Sequence, residues 1–142
     1  MRRLSLTLTA AWMLLCMVAA TAHAAPETKM ELLLDAIAKI ESNGDPNAVG
    51  DKGRALGMYQ IHRRYWQDGT KILDVDWKYS EARDPEKARQ VVRAYLRHYG
   101  RGKDLLDMAR IHNGGPRGHR KKATLKYARR IEAILESATR TS

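Results

Sequence analysis

The chain has 142 residues, 26 Lys plus Arg against 16 Asp plus Glu, one cysteine and a formal charge of +10. That length supports one domain, and an apolar fraction of 44% with 30% charged residues excludes wholesale disorder. A lone cysteine excludes both an internal disulfide framework and a cysteine-based zinc site. The positive charge points to an anionic partner without choosing among nucleic acid, membrane surface and acidic polymer.

The first segment reads as a secretory signal. Arg2 and Arg3 precede the apolar run Leu4 to Ala20, and His23 sits inside an Ala-x-Ala site ending at Ala24. A retained anchor is the competing reading, but the apolar run is only just long enough to span a bilayer. Cys16 follows Leu14-Leu15 rather than a small residue, so it does not mark a lipoprotein site. Cleavage after Ala24 leaves residues 25–142 as one cysteine-free domain. The two arginines go with the signal and no acid does, so the formal charge falls to +8. The expected location is secreted or periplasmic, without stable membrane insertion. Export also argues against nucleic acid as a partner.

Along the remaining chain, residues 28–41 carry Met30, Leu33, Leu34, Ile37 and Ile40 on one helical stripe, which the breakers Ser42 to Asn47 end. Gly50-Asp51-Lys52-Gly53 suits a loop or a short irregular hairpin. Residues 55–66 read as helical, closing near Asp68-Gly69. Asp84-Pro85-Glu86 predicts a capped helix start, followed by Ala88, Val91, Val92, Tyr95, Leu96 and Tyr99 at helical spacing and closed by Gly100. A shorter helix is expected over residues 104–112. After Asn113-Gly114-Gly115-Pro116, a last helix is marked by Leu125, Ala128, Ile131 and Leu135. The predicted fold class is mostly α (α+β), with a small irregular β or loop element.

Glu41 falls on the apolar stripe of its own helix, four residues after Ile37 and seven after Leu34. Partial desolvation and the negative end of the helix dipole are both expected to raise its pKa, as a general acid requires. The competing reading is an ordinary last-turn Glu turned to solvent. Asp51 follows ten residues later, between glycines that let the backbone return toward the helix end. A protonated Glu facing an ionised Asp is the pair that glycoside hydrolysis uses, although the spacing alone favours an Asx-turn residue that stabilises its own loop. The histidines offer no metal-ligand spacing, since His112 and His119 straddle a proline turn and His62 and His98 stand alone. No phosphate-cradling loop is present, and no metal or organic cofactor is expected.

Glu41-Ser42, Asp51-Lys52-Gly53, Gly57-Met58-Tyr59-Gln60-Ile61, Tyr65-Trp66-Gln67-Asp68 and Ala109 to Gly118, containing His112-Asn113-Gly114-Gly115-Pro116, occur in that order. This pattern resembles the invertebrate-type (destabilase-like) lysozymes over nearly all of residues 25–142, and Thr124 to Tyr127 also fits. The resemblance implies a lysozyme-like fold and a muramidase acting on peptidoglycan, at the bond between N-acetylmuramic acid and N-acetylglucosamine. Glu41 would be the acid and Asp51 the second carboxylate. Tyr59 and Gln60 would line the cleft floor, with Tyr65 and Trp66 packing beneath it. His112, Asn113 and Gly114 would contact sugar or peptide, unless their turn only joins two helices. Those lysozymes are disulfide-rich, and His119 stands where they have a cysteine, so the chain looks like a cysteine-free, bacterial relative. Glu41-Ser42 with Asp45 to Val49 and Gly57 to Gln60 is also similar to bacterial lytic transglycosylases, which use one Glu and leave anhydro ends. A catalytically silent wall-binding module is a third reading. The basic cluster Arg117, His119, Arg120, Lys121 and Lys122 suits a solvated helix start or a contact with anionic wall polymer.

Overall fold

The computed structural model describes residues 26–141; the signal reading, with Cys16, lies outside the described residues. Among the described residues the fold comprises five α-helices and a small sheet. The helices are α1 (Pro26–Ser42), α2 (Arg63–Leu73), α3 (Pro85–Tyr99), α4 (Leu105–Gly114) and α5 (Leu125–Thr141). The strands β1 (Val49–Gly50), β2 (Ala55–Leu56) and β3 (Ile61–His62) form an antiparallel sheet in chain order. Its register pairs Val49 with Leu56, Gly50 with Ala55, Ala55 with His62 and Leu56 with Ile61.

The helix starts follow local chemistry. Asp84 accepts a hydrogen bond from the Lys87 amide at 3.0 Å, and Asp104 from the Asp107 amide at 2.8 Å, each satisfying a donor that the helix leaves free. Pro85 occupies the first helical position of α3. At the end of α1, Asn43 and Gly44 turn left-handed, and their amides close on the Lys39 and Ala38 carbonyls.

The helical stripes of α1 and α3 meet in one core. Leu33, Leu34, Ile37, Val91, Val92 and Leu96 are fully buried there, joined by Trp66, Ile111 and Ile131. Each such aliphatic side chain contributes roughly 1.5–3 kcal/mol by burial. Residues 25–142 contain no cysteine, so the packing of this core is not supplemented by disulfides. Helix α2 lies close on α3 at Gly69, where a Cβ would meet Val91 Cγ1 at 2.6 Å. Along the α1–α3 seam, Arg89 pairs with Glu31 at 2.6 Å and Asp35 at 2.8 Å, Arg93 pairs with Glu31, and Arg97 with Glu27.

Two expectations are corrected. The predicted helix over residues 55–66 begins only at Arg63, because residues 55–62 form β2, a tight turn and β3. Ala55, Leu56, Tyr59 and Ile61 are all buried, but by strand pairing and turn packing rather than on a helical stripe. Gly57 at φ 74° and Gln60 at φ 48° break any helix between them, and the Gly57 amide donates to the Ala48 carbonyl at 2.9 Å. The apolar stripe of α5 is also rotated. Tyr127, Ala128 and Ile131 face the core, whereas Leu125 is 43% exposed.

Candidate functional site

Glu41 sits in the last turn of α1, which Ser42 fastens to the β2–β3 turn by donating to the Met58 carbonyl at 2.9 Å. Its side chain is 20% exposed, as its place on the apolar stripe leads one to expect. The Tyr127 hydroxyl donates to Glu41 Oε1 at 2.8 Å, and His112 Nε2 lies 3.6 Å from the same oxygen. On its other side, His112 Nδ1 is 3.1 Å from the Tyr65 hydroxyl. A proton on Nε2, facing the carboxylate, leaves Nδ1 to accept from Tyr65. Burial holds the Tyr65 and Tyr127 hydroxyls well above their ordinary pKa, so both remain donors. Tyr65 is itself fixed by stacking on Tyr95, with ring centroids 3.7 Å apart.

These partners reverse the expected electrostatics of Glu41. Burial does push its carboxyl up, but the His112 imidazole, the Tyr127 hydroxyl and the Arg130 guanidinium together outweigh burial. The group is held below the ordinary carboxylate range and is ionised near neutral pH.

Asp51 occupies a one-turn helix, Asp51–Gly53, between β1 and β2. Asp51 at φ 46° and Lys52 at φ 54° are consecutive left-handed residues that are not glycine, a costly arrangement that recurs at functional sites. The Asp51 carboxylate accepts from Arg54 at 2.7 Å and lies 3.5 Å from His62 Nε2. It is 41% exposed.

One cleft of about 920 Å³ is lined by both of these histidines, His62 and His112, with Tyr65, Asn113 and Gly114 also in its wall. Each of these histidines is next to one candidate carboxylate, but neither Glu41 nor Asp51 itself lines this cleft. Asn113 is exposed, and Gly114 is held by Lys121, whose Nζ donates to its carbonyl at 2.6 Å.

Tyr59 and Gln60 stand elsewhere. Tyr59 is fully buried, and its hydroxyl accepts from Arg89 at 3.2 Å, so it packs into the core instead of lining the cleft floor. The large ring gains more by burial there than at a surface. Gln60 turns its amide inward, donating to the Gly57 carbonyl at 2.9 Å, while its Oε1 occupies the space a Gly50 side chain would need. Trp66 does pack beneath the surface, donating to the Trp77 carbonyl at 3.0 Å, whereas Tyr65 is only partly buried and forms part of the cleft wall. Tyr127, His62 and Arg130 join the candidate carboxylates only in the folded chain. Tyr127 had one available signal: it lies four residues before Ile131, on a buried face where its hydroxyl requires a partner.

With this geometry established, known proteins give it a family. The destabilase family pattern matches residues 31–134, most of the chain. The chain belongs to the destabilase family. Among relatives, it is 33% identical over 118 residues to an invertebrate-type lysozyme of Ruditapes philippinarum, covering 78% of this chain and 85% of that protein. It is 32% identical over 116 residues to invertebrate-type lysozyme 6 of Caenorhabditis elegans, covering 71% and 83%. A lysozyme of Magallana gigas is 39% identical over 85 residues, covering 54% of this chain; the match spans only 58% of that oyster protein. A chain from the crystal structure of Aeromonas hydrophila PliI in complex with Meretrix lusoria lysozyme superimposes with a TM-score of 0.63. That chain is 32% identical, and the superposition covers 73% of this chain and 88% of that one. The fold of this destabilase-family chain is thus mostly α and lysozyme-like, with a small antiparallel sheet.

Proposed function

We propose that this chain is a secreted peptidoglycan glycosidase, a muramidase that hydrolyses the bond between N-acetylmuramic acid and N-acetylglucosamine. The observation that carries the reading is the largely buried Glu41 carboxyl, clasped by Tyr127 and His112, with His112 and the Asp51-contacting His62 both lining one cleft. Family membership supports it. Glu41 is the proton donor to the leaving oxygen, and Asp51 stabilises or traps the oxocarbenium-like centre.

An ionised Glu41 must gain a proton before it can act. A sugar seated over it excludes water, removes the solvation of the carboxylate and raises its proton affinity. The low resting pKa then favours turnover on the acid side of neutrality. Tyr65 and Tyr127 hold His112 and Glu41 in place during the transfer.

A second reading has one observation in its favour. Asp51 already pairs with Arg54 at an exposed position, which suits a lytic transglycosylase that needs Glu41 alone. Both readings require the same acid. Glu41→Gln should abolish wall lysis while the purified variant still sediments with peptidoglycan. A wild-type protein that sediments with the wall but releases no soluble fragments would overturn both, leaving a binding module.

A further inference from the structure

Among the described residues, two sets of cations differ in their partners. Arg54, Arg89, Arg93, Arg97 and Arg110 each hold a carboxylate of the same chain. Arg64, Arg117, Arg120 and Lys121, which line the cleft, have no carboxylate within ion-pair distance among the described residues. Among the described residues Asp68 is the one acid in the cleft wall, so the rim carries a net positive charge. Like charges gathered without counterions repel one another, and an anionic ligand relieves that repulsion.

The rim is also built rather than draped. Gly118 is pressed against the Arg110 carbonyl, where a Cβ would stand 1.9 Å away. Thr124 lies within hydrogen-bond reach of the Gly118 and Lys121 carbonyls at 2.9 and 2.8 Å, and accepts from Arg110 Nε at 3.0 Å. Lys121 is tied to Gly114, and Arg120 Nε donates to His119 Nε2 at 3.3 Å. Arg64 approaches from α2, and the other three cations from the segment between α4 and α5. Positive charge on two separate segments suits a ligand carrying several spaced carboxylates more than it suits a single one.

We infer that this cleft is a subsite for the acidic peptide stem of the glycan, with Arg64, Arg117, Arg120 and Lys121 reading its free carboxylates. The assignment rests on the peptidoglycan reading above and extends it: the neutral sugar chain is recognised near Glu41, and the peptide charge beside it. Chitin-type glycans, which lack that charge, would bind without using the rim.

The test is calorimetric binding to the Glu41→Gln protein, which separates recognition from turnover. An N-acetylmuramyl peptide with free carboxylates should bind about tenfold more tightly than the same peptide with its carboxylates amidated. N-acetylmuramic acid, with only its lactyl carboxylate, should bind as weakly as the amidated peptide. Arg117→Gln/Arg120→Gln in the same background should erase the preference for the free acid, and its melting temperature shows whether the fold is retained. Equal affinity for free and amidated peptides overturns the proposal without any rim variant being needed. Tight binding of N-acetylmuramic acid alone, or stronger binding of inorganic polyphosphate, also overturns it. Failure of the glycosidase reading looks different: the preference for the free acid persists, but wild-type protein releases no glycan fragments.

Discussion

Tyr127→Phe removes one hydroxyl and leaves the ring that packs beside His112. The lost interaction is the 2.8 Å hydrogen bond to Glu41 Oε1, made to a carboxylate whose side chain is only 20% exposed. Hydrogen bonds to charged groups contribute about 1.5–3 kcal/mol, and a protonated carboxyl keeps part of that as a neutral acceptor. A difference of about 1.4 kcal/mol between the two forms is a factor of roughly ten in the protonated fraction of Glu41 at a fixed pH. Because Tyr127 favours the charged form, the substitution raises the proton affinity of Glu41. The alkaline limb of the kcat/KM profile on soluble glycan strands should therefore move to higher pH, with about tenfold more protonated acid at any pH on that limb. Stability carries the same sign. A carboxyl depressed on folding stabilises the native state above its unfolded pKa, and that contribution disappears as pH falls through the folded pKa. The melting temperature of Tyr127→Phe should lie below that of wild type at pH 7 and approach it in strong acid. An unmoved limb, or one displaced to lower pH, would refute the assigned electrostatics.

Arg89→Ala removes the contact with Asp35, the contact with Tyr59 and half of the clasp on Glu31. Burial pushes the Glu31 carboxyl up, but Arg89 and Arg93 outweigh it and hold it low. The cost should be about 1–2 kcal/mol at pH 7 after solvent screening, and should shrink in acid as Glu31 protonates; urea melts at the two pH values measure it. Gly57→Ala places a Cβ 2.1 Å from the Ala82 carbonyl oxygen at a φ of 74°, which should cost about 3 kcal/mol or more in a denaturant titration. A variant as stable as wild type would mean that the β2–β3 turn relaxes freely.

The parts of the fold legible in the sequence are those written in local periodicity and caps. Met30 to Ile40 and Ala88 to Tyr99 carry unbroken stripes, and Asp84-Pro85 announces its helix. Residues 55–62 read as helical in the sequence because Ala55, Leu56 and Tyr59 also fit a helical spacing. What decides against the helix is tertiary: the Ala82 carbonyl packed against Gly57, and the Tyr79 hydroxyl lying 2.8 Å from both the Arg54 and Ile61 carbonyls. At the site, the position of Glu41 was legible from its own helix, but its charge state was not. Tyr127, which helps set that state, is 86 residues away in the chain, and no local pattern encodes such a contact. Tyr59 illustrates a different limit: the motif names the residue, but whether it faces the core or the cleft depends on Arg89 and the packing around it.

Part of the positive charge is placed: three arginines pair with acids along the α1–α3 seam, and four cations with no carboxylate partner among the described residues line the cleft. The most direct test of the central claim, that Glu41 and Asp51 act as a hydrolytic pair, is mass spectrometry of wall digested by the wild-type protein. The account predicts muramic acid at free reducing ends, and loss of those products in Asp51→Asn. Anhydro-muramyl ends, formed equally well by Asp51→Asn, would contradict it.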